Sequence, residues 1–142
     1  MNETHEELIQ QLGGTLLDLV PETGWRRIDL VCSMTAPVRD LILTVIMDDG
    51  SRPAITPPEV LTVILAKLRA LLYQPDRGTW FSARISMNPP GQIFFDYNND
   101  HEPVLTRPMA PAHYAEDLRV FPRDPGHVPA WLRAKLATEG AN

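Results

Sequence analysis

Residues 25–34 read Trp-Arg-Arg-Ile-Asp-Leu-Val-Cys-Ser-Met, and their period is two. Ile28, Leu30, Cys32 and Met34 fall on one side of an extended chain, and Arg27, Asp29 and Ser33 on the other. This is the pattern of a strand buried on one face. After Thr35-Ala36-Pro37-Val38, residues 41–47 (Leu-Ile-Leu-Thr-Val-Ile-Met) are apolar on both faces and rich in β-branched side chains, which suits a more central strand. Asp48-Asp49-Gly50 supplies the next turn.

On either side of this pair the period becomes helical. Thr4-x-x-Glu7 is a capping-box pattern, and Leu8, Ile9, Leu12, Leu16 and Leu19 continue it as a helix over residues 4–20, which Pro21 closes. Gly13-Gly14 weakens that helix by roughly 1 kcal/mol per glycine, so packing must support it. Thr56-Pro57-Pro58-Glu59 predicts a second start, with Thr56 as cap and Pro57 at the first helical position. Val60, Leu61, Ile64, Leu65, Leu68, Leu71 and Leu72 form its expected buried stripe, with Thr62, Lys67 and Arg69 off it.

A second strand pair follows. Phe81, Ala83, Ile85 and Met87 alternate with Ser82, Arg84 and Ser86; then Ile93, Phe95 and Tyr97 alternate with Gln92 and Asp96, across the turn Asn88-Pro89-Pro90-Gly91. Residues 98–111 have no period and predict a long surface loop. Tyr114, Leu118 and Phe121, then Trp131, Leu132 and Leu136, predict two short terminal helices. The expected fold is therefore a single α+β domain over residues 1–142, an antiparallel sheet of about four strands covered by helices in the order α-β-β-α-β-β-α-α.

Composition narrows the function. A net charge of -5 lacks the clustered basic residues that a phosphate backbone requires, so no direct nucleic-acid partner is expected. A single cysteine makes no internal disulfide, the N-terminal stretch is acidic where a signal peptide is basic, and no run reaches 18 apolar residues. The expectation is a cytoplasmic protein that neither spans a membrane nor leaves by a signal peptide. The possible metal ligands His5, His101, His113, His127 and Cys32 show no ligand spacing, and Ser33, Ser51, Ser82 and Ser86 lie in no nucleophile elbow. No catalytic residue, metal or cofactor is expected.

One cluster stands out: Asp96 and Tyr97 at a strand end, then Asn98, Asn99, Asp100 and Glu102 entering the loop. As turn formers, Asp and Asn bond their own backbone. As a contact surface, the same residues suit a cationic partner, with Asp96 directed away from the core side defined by Phe95.

Several segments together resemble the YezG-like family of bacterial immunity proteins, particularly its actinobacterial members. They are Pro21-x-x-Gly24-Trp25, Trp80-x-Ser82-x-Arg84, Gly91-x-Ile93-x-x-Asp96-Tyr97, the run Tyr114-Ala115-Glu116-Asp117-Leu118-Arg119-Val120-Phe121-Pro122-Arg123-Asp124-Pro125, and His127-Val128-Pro129-Ala130-Trp131-Leu132. The resemblance implies an α+β antitoxin without enzyme activity that binds a cognate toxin encoded beside it. Asn98 and Asn99 stand where the family often carries further acids, which shifts the implied contact toward shape. The Phe121–Pro125 segment has two readings: Phe121 anchors the preceding helix while Arg123 and Asp124 solvate the turn, which is the expectation, or the segment contacts the partner. A chaperone or adaptor for a secreted neighbouring protein is the competing reading, since it too would be acidic, compact and free of catalytic motifs.

Overall fold

A computed structural model describes residues 3–105 and 107–140. Met1 and Asn2 of the acidic N-terminal stretch, and Thr106 of the expected loop, lie outside the described residues. Among the described residues the order is α1 (His5–Leu17), β1 (Trp25–Met34), β2 (Arg39–Met47), α2 (Glu59–Leu71), β3 (Ser82–Asn88), β4 (Gln92–Asn98), α3 (Pro111–Val120), a 3-10 turn (Pro125–His127) and α4 (Ala130–Gly140). The strands form one antiparallel sheet in the order β2-β1-β3-β4, so the expected α+β class and element order are those of the structure.

Contacts between strands set the register. Thr35 N–H donates to Val38 O at 2.9 Å, which places Leu30 opposite Leu43 and Ile28 opposite Val45. Farther along, Asp48 N–H donates to Gly24 O, a pairing displaced by one residue. That displacement marks a β-bulge at the start of β1, and it explains why Trp25 is buried although it shares the parity of the exposed positions. Met34 N–H donates to Phe81 O, which aligns β1 with β3, and the Asn98 amide donates to Ser82 Oγ across β3 and β4.

The described residues divide into two compact units: residues 3–31, 41–71 and 84–96 form the first, and residues 32–40, 72–83, 97–105 and 107–140 the second. In the first, α1 and α2 pack together, and Leu8, Leu12, Leu16, Leu61, Ile64, Leu65 and Leu68 join Ile28, Leu30, Val45, Ile85 and Met87 in the interior. Thr4 caps α1 through the expected reciprocal box with Glu7. A Cβ at Gly13 would lie 3.6 Å from Met87 Cε, an ordinary van der Waals contact, so the packing there has room for a side chain as small as alanine.

The second unit centres on Phe81, Met109, Tyr114 and Leu132. Phe81, Tyr114 and Trp131 meet pairwise edge-on with centroids 5.3–6.1 Å apart. Asp117 of α3 is buried and accepts from Ala36 N–H at 2.7 Å, which holds the turn between β1 and β2.

Several expectations are corrected. Strand β2, apolar on both faces and expected to be the more central strand, is an edge of the sheet, and β1 and β3 lie inside it. Helix α2 begins at Glu59, not at Pro57, because Pro58 disfavours helical backbone in the residue before it; Thr56 caps nothing in the described structure. Val60 and Leu71 are exposed and Arg69 is buried, so the buried stripe of α2 is rotated from its expected position. The loop after β4 is not wholly superficial, because Pro103 is buried and Met109 belongs to the core of the second unit. Arg123, expected to solvate a turn, has a side chain only 2% exposed.

Candidate functional site

In the first unit one face of the sheet carries the helix-facing apolar residues and the other stays open. By the register above, one row of the open face runs Thr44, Asp29, Ser86, Phe94, and the next runs Ile42, Val31, Arg84, Asp96. Asp29 is the centre of a polar network. Its Oδ1 accepts from Arg84 Nε at 3.0 Å and from Ser86 Oγ at 3.1 Å, and its Oδ2 accepts from Arg84 Nη2 at 3.2 Å. Arg27 donates to Ser86 Oγ at 3.0 Å and lies 3.7 Å from Asp29. The two-pronged contact with Asp29, reinforced by the charge of Asp96, raises the Arg84 pKa above its ordinary value.

Large apolar side chains flank this network. Phe94 is 48% exposed on β4 and Ile42 is 41% exposed on β2. The open face thus combines an internally satisfied polar centre with apolar groups still in water, a composition suited to a partner surface. Asp96 is exposed on the same face, directed away from the core as the alternation of β4 predicts.

The other residues of the expected cluster lie in the second unit and are differently employed. Tyr97 is half-buried on the core side with its ring 6.2 Å from Trp80, and burial pushes its phenol up to about 12. Asn98 closes a turn: its amide donates to His101 O and its Oδ1 accepts from His101 N–H, each at 2.9 Å. Asn99 gives its carbonyl to Arg123 at 2.6 Å, and Asp100 gives its carbonyl to the Trp131 indole at 2.7 Å. The Asp100 carboxylate itself is 75% exposed, 3.6 Å from Arg123, and Glu102 lies 3.5 Å from Lys135. Of this set, Asp100 and Glu102 present charge to solvent, whereas Asn98 and Asn99 hold the loop.

The residue behind that loop is Arg123. Its guanidinium donates to the carbonyls of Thr79 (3.0 Å), Asn99 (2.6 Å) and His127 (3.1 Å) and lies 4.7 Å from the Phe81 ring centroid. Gly78, at φ +99, passes so close that a Cβ would overlap the guanidinium. Nothing in the local pattern of residues 121–125 signals this role, because the acceptors are backbone carbonyls.

Among the described residues no group of three or more His, Cys, Asp or Glu side chains is placed to hold a metal ion, and no helix is long and apolar enough to cross a membrane. His113 Nδ1 accepts from Ala110 N–H, His127 Nδ1 meets Asp124, and Cys32 is buried on the apolar face of β1.

The buried tyrosines give a pH prediction. Tyr114 is also pushed up to about 12, by burial first and then by the charges of Glu102 and Asp117. A phenol raised in the folded state keeps its stabilising preference for the neutral form at full strength below pH of about 10 and loses it as pH climbs toward 12. Tyrosinate absorbance should therefore show a late component that shrinks in Tyr97→Phe and again in Tyr114→Phe. Complete titration of the native protein near the free-phenol value would contradict this burial.

Comparison with protein-family models and with curated protein sequences finds no match to this chain.

Proposed function

We propose that this chain is an immunity protein that binds one cognate bacterial toxin in the cytoplasm of the producing cell and neutralises it by occupancy, without turnover. The supporting observation is the open sheet face of the first unit, where Phe94 and Ile42 are exposed on either side of a polar lattice already satisfied by Asp29. Such a face is preorganised: its polar groups need no rearrangement on docking, while its apolar groups gain by leaving water. The family resemblance supplies the toxin as the partner. Asp96 on that face, and the exposed carboxylates of Asp100 and Glu102 in the second unit, favour a partner with basic surface.

Titration tests this. With the protein encoded next to this one as the purified toxin, residual toxin activity should fall to its minimum as the two concentrations become equal, provided both exceed Kd. Dissociating the complex should restore active toxin. Protection at a small fraction of the toxin concentration, persisting after the chain is removed, would show turnover and overturn the proposal.

A further inference from the structure

Strand β2 is an edge of the sheet, nine residues long, and from Arg39 to Met47 it holds no proline, glycine or lysine. Edges of this kind are ordinarily blunted by such residues or by a bulge. The other edge, β4, is seven residues long, and each edge strand carries one aspartate, Asp40 in β2 and Asp96 in β4. Residue parity shows what β2 presents. Val38 and Asp48 both bond toward β1, so even-numbered positions turn their backbone groups to β1 and odd-numbered ones turn theirs outward. Met47 N–H, an outward group, is already taken by Ser51 O at 2.9 Å. The outward positions that remain are Arg39, Leu41, Leu43 and Val45, and their midpoint is Ile42.

We propose that β2 pairs with β2 of a second copy of this chain, antiparallel about a twofold axis at Ile42, to form a continuous eight-stranded sheet in a homodimer. A twofold axis normal to the sheet keeps each residue on its own face, so a position on β2 must oppose one of the same parity. Centring the axis on Ile42 is the register that uses all four outward positions: Leu41 bonds with Leu43 of the other copy, and Arg39 with Val45. Asp40 then faces Thr44, so no like charges are opposed. Arg39 of each copy approaches Asp48 of the other three steps along the strand, about 10 Å and so near one Debye length, while Asp40 lies one step farther away. Ile42, 41% exposed and on the open face, meets its own counterpart at a non-hydrogen-bonded position, where opposed side chains come closest. The pairing lies at the β2 border of the face proposed above for the toxin and leaves Phe94, on the opposite edge strand, outside it.

The register makes the test specific. Opposed residues at such a position have Cα atoms about 4.5 Å apart, within disulfide range, whereas Thr44 would lie about 14 Å along the strand from its own counterpart. Sedimentation equilibrium of the full chain should give twice 16.0 kDa, dissociating on dilution. Ile42→Cys should form a disulfide-linked dimer under mild oxidation, and Thr44→Cys should not; Cys32 is buried and should not contribute. Ile42→Lys should be monomeric with an unchanged far-ultraviolet spectrum, because two ammonium groups would face each other. A wild-type mass of 16.0 kDa at every concentration would overturn the proposal. So would a dimer that survives Ile42→Lys, or one that cross-links equally well through Thr44→Cys, since either outcome places the interface elsewhere.

Discussion

Arg123→Met should lower the unfolding free energy by about 3–5 kcal/mol, read as a shift in urea midpoint at unchanged slope. The buried guanidinium donates to three carbonyls from separate stretches of the second unit, and methionine fills much of its volume while donating to none. Hydrogen bonds from a charged donor contribute about 1.5–3 kcal/mol each, and the contact with Phe81 adds to them. Removing a buried charge recovers part of this, which keeps the net loss below the sum. Arg119→Met is the control: its side chain is 73% exposed, it pairs with Glu116 three residues away, and its loss should cost about 1 kcal/mol or less. Equal effects in the two variants would mean that Arg123 is no more than a surface charge.

The contrast between these two arginines shows what the sequence could and could not express. Strand β1 was legible to the residue because alternation over Trp25–Met34 has no helical competitor. The turn at Pro89-Pro90 was legible because proline and glycine punctuate strongly. The start of α2 is not legible from the capping pattern, because the clash of Pro58 with the residue before it outweighs that pattern. Arg69 and Arg123 look solvent-facing in sequence because a charged side chain is ordinarily exposed. Their burial depends on partners brought from distant segments; Thr79 lies 44 residues from Arg123 in the chain.

The candidate face was half legible for the same reason. Alternation alone sends Arg27, Asp29, Arg84, Ser86 and Asp96 to the open side of their strands. Their assembly around Asp29 depends on β1 lying beside β3, which no local pattern declares. The emphasis on Asn98 and Asn99 came from composition, and the same polarity that suggested a contact surface is used to hold a turn and to accept from Arg123. Phe94 carries no periodic signal, because it interrupts an apolar alternation without breaking it, although a solvent-facing aromatic beside a strand-end carboxylate is a better partner signal than either asparagine.

Phe81→Ala should destabilise the protein by about 3–5 kcal/mol, the cost of an aromatic core truncation that leaves a cavity. The ring is buried, lies 5.3 Å from Trp131 and 6.1 Å from Tyr114, and receives the Arg123 guanidinium. Phe81→Leu keeps most of the apolar burial but loses two edge-on aromatic pairs, each contributing about 0.5–1.5 kcal/mol, and should fall between alanine and wild type. Because Trp131 both meets Phe81 edge-on and donates its indole N–H to Asp100 O, the alanine variant should also loosen the loop that carries Asp100 and Glu102. Amide exchange should therefore quicken over residues 98–102 more than along β2, and a double-mutant cycle with Arg123→Met should show coupling of about 0.5–2 kcal/mol between the two side chains. Purely additive losses would separate Phe81 from Arg123. In that case the loop would be held by its own asparagines, and the aromatic cluster would be only filler for the second unit.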